Sequence, residues 1–85
     1  MTSYQPTDKE LARLRVNFTH HPPIGDQVER YGLIRQYGAQ LADVIVGACP
    51  PSRERALALT NVEQAVMWAN AGIARNEKLP DEGAP

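Results

Sequence analysis

Two proline pairs, Pro22–Pro23 and Pro50–Pro51, limit most tightly what this chain can fold into. Proline cannot donate to a helix ladder, and it pushes the residue before it out of the helical region. The stretches on either side of the pairs carry apolar residues at spacings of three and four. The pattern predicts an all-α chain with two enforced corners and helices over about 7–17, 26–47 and 53–76. Residues 1–6 read as a flexible polar lead-in, 7–77 as a single domain, and the closing "KLPDEGAP" (78–85) as a disordered tail.

Start and stop signals agree with those bounds. "TDKE" fits a capping box, with Thr7 as N-cap and Glu10 reaching back three residues on, and Leu11, Leu14 and Phe18 follow on one face. Asp26 with Glu29 repeats the box pattern for the second helix, and Gly47 in "GACPP" reads as its C-terminal cap. Val28, Tyr31, Ile34, Gly38, Leu41 and Ile45 are its inward-facing candidates. Ser52 caps the third helix, which carries an apolar row of Leu59, Val62, Val66, Ala69 and Ile73. A more polar second row runs from Ala56 and Thr60 through Met67 and Asn70 to Ala74. The "CPPS" link is so short that helices two and three must lie antiparallel as a long hairpin.

A hairpin of this size buries little, and the 85-residue chain has few ways to compensate. One cysteine, Cys49, excludes an intramolecular disulfide framework and starves a Cys/His zinc site. That leaves self-association, for which Leu57, Met67 and Trp68 lie outside the hairpin seam. A net charge of −1 and a pI near 6.1 give no basic field for DNA or RNA, although a local arginine pair suffices for a small phosphate. No apolar run reaches membrane-span length and no signal peptide is visible, so a soluble, cytosolic, reduced setting is expected.

Candidate chemistry is sparse. His20 and His21 with Asp26 would make a weak metal site, and adjacent residues point in different directions, so no metal is expected. Cys49 sits in the far turn without a recognisable base and orienter, and there is no glycine-rich phosphate loop. Neither an enzyme nor a cofactor is expected. The arginines leave two readings open. Arg75 can simply complement the dipole of the third helix, and Arg35 can snorkel. Alternatively each is a fork-shaped phosphate donor beside an aromatic or imidazole plane that stacks on a base.

The run "SRERALALTNVEQAVMWANAGIARNE" resembles the signature of phage anti-CBASS cyclic-nucleotide sponges, whose helical hairpin domain is shared with a class of anti-Thoeris sponges. Upstream, "FTHHPPIGDQVERYGLIRQYGAQLADVIV" is similar to the motif written F-T-Y-H-P-P-x-G-D-Q followed by R-Y and I-R. The resemblance covers residues 17 to 77 and implies a homo-oligomer, commonly a hexamer. It implies a viral immune-evasion protein in the cytoplasm of the infected bacterial host. Such proteins bind cyclic oligonucleotide signals without cleaving them, and so keep CBASS effectors off. The dinucleotide pocket would use His20 as base stacker and Arg35 as cation, with Thr19 and His21 beside them. A trinucleotide pocket would use Asn70, Arg75 and Tyr37. His20 stands where tyrosine is common and Ile24 where lysine is frequent, so stacking area and one positive charge are lost. The alternatives are a sponge for the cyclic ADP-ribose signals of Thoeris, or a helical-hairpin module that binds another protein.

Overall fold

The computed structural model describes residues 4–77, and the expected tail over 78–85 lies outside them, as do the first three residues of the lead-in. Three helices account for most of what is described: α1 (Asp8–Phe18), α2 (Gln27–Ala48) and α3 (Arg53–Asn76). All three fall within a residue of the expected bounds. No strand occurs among the described residues.

α1 begins where the capping box places it. The Thr7 side chain accepts from the Glu10 N–H at 3.1 Å, and Glu10 Oε1 accepts from the Thr7 N–H at 2.9 Å. The Thr7 N–H, with the Thr7 hydroxyl beside it, holds the Glu10 carboxyl below its ordinary value. Ser52 likewise caps α3 by accepting from the Arg55 N–H at 3.1 Å.

α2 departs from expectation at both ends. Asp26 makes no side-chain cap, because its backbone (φ −91°, ψ 17°) lies outside the extended region that aims a cap inward, and its carboxylate is taken by Arg30 Nε at 3.0 Å. Gly47 is not the C-terminal cap either. The helix continues through Ala48 to Cys49, whose extended backbone (φ −112°, ψ 138°) is what a residue before proline adopts. The sole residue with positive φ among those described is Gly25 at 54°, in the turn that launches α2.

The α2–α3 pairing is antiparallel with a constant register. Gln27 meets Glu77 at one end, and eleven residues further on Gly38 meets Val66, eleven residues back. At Gly38 the helices come so close that an added Cβ would collide with Val66 Cγ2. At the far turn Arg55 Nη1 donates to the Val46 and Cys49 carbonyls at 3.2 and 3.3 Å, answering the exposed carbonyls that end α2.

The seam along this hairpin is thin. Tyr31, Ile34, Gly38 and Ile45 of α2 are half-buried against Leu59, Val62, Val66 and Ile73 of α3. Val28, Leu41 and Ala69, expected inward, are exposed, since a single partner helix covers only a narrow stripe. No apolar side chain is fully buried among the described residues, and α1 keeps Leu14 and Phe18 in the open. The molecule extends 50 × 41 × 17 Å, a flat shape with little interior.

Candidate functional site

The polar structure concentrates at one end of the hairpin, where α1, the corner over residues 19–26 and the two helix termini meet. The corner is pinned twice. On the α1 side, His21 Nε2 donates to the Val16 carbonyl at 2.8 Å, one of the carbonyls that a helix end leaves without a partner, and the Thr19 hydroxyl donates to the Arg15 carbonyl. On the α2 side, the Ile24 N–H donates to Gln27 Oε1 at 3.0 Å, and the Gln27 N–H donates to the Ile24 carbonyl at 3.0 Å. Between the pins run Pro22 and Pro23, whose rings restrict φ.

Behind the corner lies a cluster that sequence reasoning did not identify. Gln27 Nε2 donates to Glu77 Oε1 at 3.0 Å, and the Tyr31 hydroxyl donates to Gln27 Oε1 at 3.3 Å. Arg30 grips Glu77 with both prongs, Nη2 to Oε1 at 2.6 Å and Nη1 to Oε2 at 2.7 Å. The fork holds the Glu77 carboxyl down to about 2, with the Gln27 amide helping, and raises the Arg30 guanidinium in turn. Gln27, 3% exposed, is the only buried residue among those described.

The sequence-derived site residues do not gather in one pocket of a single chain. His20 is exposed at the corner. Arg35 is exposed on one flank of the seam, in an apolar groove with Gly38, Ala42, Glu63 and Met67. Tyr37 lines the opposite flank with Ile34, Leu41, Asn61 and Ala65. Asn70 is half-buried, and its Oδ1 is shut from solvent without a hydrogen-bond partner. Arg75 holds its guanidinium 6.0 Å from the centre of the Trp68 ring, which is 63% exposed. His20, Arg35 and Tyr37 are exposed, while Asn70 and Arg75 are half-buried near the end of α3.

Chemically the set offers cations, imidazoles and flat rings on an apolar surface. No three His, Cys, Asp or Glu residues lie close enough to hold a metal among the described residues. Cys49 is exposed at the opposite end, where its N–H closes the last turn of α2 on the Ile45 carbonyl. No described helix is long and apolar enough to cross a membrane.

A model of the Acb2/Tad1 hairpin domain matches residues 10–74 of the chain. No curated protein and no solved structure matches it.

Proposed function

The chain belongs to the family of Acb2/Tad1 hairpin domains, and from that membership we propose that it is a phage anti-defence sponge. It binds cyclic oligonucleotide immune signals, cyclic dinucleotides first and cyclic trinucleotides at a second site. It sequesters them without cleavage and so blocks activation of CBASS effectors. The observation that carries the proposal is the family match over 10–74, which spans α2 entirely and α3 almost to its end.

The placement of the candidate residues supports the reading. A cyclic dinucleotide presents two bases and two phosphates, and a two-fold pair of chains would offer each half the same His20 ring and the same Arg35 fork. Three copies of Asn70 and Arg75 around a three-fold axis would suit a cyclic trinucleotide, with Tyr37 on the same assembly. The orphaned Asn70 Oδ1 fits this use, because a shielded acceptor without a partner is costly unless something supplies a donor. A closed homo-oligomer, a hexamer by the family resemblance, would also cover the apolar faces that the single hairpin leaves open.

Calorimetric titration with a panel of cyclic dinucleotides, cyclic trinucleotides and cyclic ADP-ribose isomers tests the proposal. At least one cyclic oligonucleotide should bind and be recovered intact. Arg75→Ala should abolish trinucleotide capture and spare dinucleotides, and His20→Tyr should tighten dinucleotide binding. Tight binding of a cyclic ADP-ribose isomer alone would move the function to Thoeris signals. A folded assembly that binds none of the panel would sink the sponge. The remaining reading, a hairpin that docks another protein, is favoured by the exposure of Leu33, Val44, Leu57 and Met67.

A further inference from the structure

Gln27 stands where three parts of the chain cross: the corner, the start of α2 and the end of α3. Its carbonyl oxygen serves Ile24 and Tyr31, and its amide nitrogen serves Glu77. Only an amide satisfies both sides. A carboxylate at this position would set two negative groups face to face, and a methionine of similar length would neither donate nor accept well. Glu77 in turn is held by the two-pronged Arg30, which also answers Asp26, so a single cation ties two carboxylates together.

The grip on Ile24 reaches the candidate ligand residues through a stiff path. Ile24 is bound through both its N–H and its carbonyl. Pro22 and Pro23 then restrict the backbone as far as His21, which is anchored on α1. Few torsions are left free between Gln27 and His20.

We propose that Gln27 is a positioning residue for the ligand-binding corner, clamped by the Glu77–Arg30 fork, so that the end of α3 sets where the His20 ring points. This rests on the reading that the corner receives the base of a cyclic dinucleotide. Gln27 itself touches no ligand. Its contribution is to fix the stacking surface before binding, so that the ligand does not have to order it.

The test uses the full chain, titrated with cyclic di-GMP and cyclic GMP–AMP. Gln27→Met and Gln27→Glu should each weaken dinucleotide binding about tenfold or more, the scale expected when a preset geometry is loosened. Oligomer mass and helix content should stay as in the parent protein. The reciprocal pair Gln27→Glu with Glu77→Gln should recover part of the affinity, because an oxygen again faces Ile24 and an amide again faces a carboxylate, while one prong of the Arg30 grip is lost. Hydrogen exchange at the Ile24 amide should rise in the single variants and fall back in the pair. If the Gln27 variants fail to assemble, Arg30→Lys carries the same test, since it keeps the charge and loses the two-pronged grip. Unchanged affinity in variants that fold, beside a parent protein that binds, overturns the positioning role alone. A parent protein that binds no cyclic dinucleotide overturns the sponge reading and this proposal with it.

Discussion

Glu77 carries the clearest consequence at the residue scale. Its carboxyl sits at about 2, against an ordinary 4.5, because Arg30 and Gln27 bond to the ionised form. A folded-state value below the unfolded one means a stability contribution that is fully present above pH 4.5. It is lost as the pH falls from 4.5 through about 2. A carboxyl-carbon NMR titration should place the Glu77 midpoint near 2, and Arg30→Ala should return it toward 4.5. Gly38 gives a second residue-level expectation. Gly38→Ala should cost about 1–3 kcal/mol by forcing the helices apart, partly offset by roughly 1 kcal/mol of helix propensity. Combining it with Val66→Ala should remove that clash term, which thermal melting of the four proteins in a double-mutant cycle would show. Gly38 was legible as an inward position, since it falls on the helical repeat. The Gln27–Glu77 contact was not, because it joins residues fifty apart and nothing local in "GDQ" announces a partner so far along the chain.

At the scale of the elements, the helix limits were legible because proline and capping residues act locally. Thr7 and Ser52 behave as their sequence contexts promise. Asp26 and Gly47 show where local rules yield. Arg30, one turn on, captures the Asp26 carboxylate, and Pro50 rather than a left-handed glycine ends α2. These differences predict a contrast between two caps. Ser52→Ala should cost about 1 kcal/mol, the usual value of a working N-cap. Asp26→Ala should cost less, since it removes a surface ion pair and no cap. Urea denaturation of both variants, at one protein concentration, would settle the order. α1 has an apolar stripe that the described residues leave largely uncovered, Phe18 being 86% exposed. That burial pattern could not be read from periodicity, which says which face is apolar and not what it meets.

The whole molecule is a flat assembly of helices without a closed core among the described residues. Its folded state should therefore depend on its own concentration, since association stabilises by mass action. Melting temperature should rise measurably over a hundredfold range of protein concentration, and Leu41→Glu should lower both it and the mass seen by sedimentation. A melting temperature independent of concentration would show that one chain suffices. The same flatness explains why the candidate site was legible only as a set of residues. Arg35 and Tyr37, nominated for two different pockets, lie on opposite flanks of the seam, and periodicity does not say what an exposed residue will face. One last property follows from the far turn. Cys49 is the chain's only thiol, it is exposed, and the 22 residues of α2 hold it about 33 Å from the His20 corner. A dye or spin label attached there would leave the corner untouched, and in an assembly each protomer would carry one such reporter. Distances between the reporters would then measure the packing geometry of the copies directly, in solution and with or without ligand.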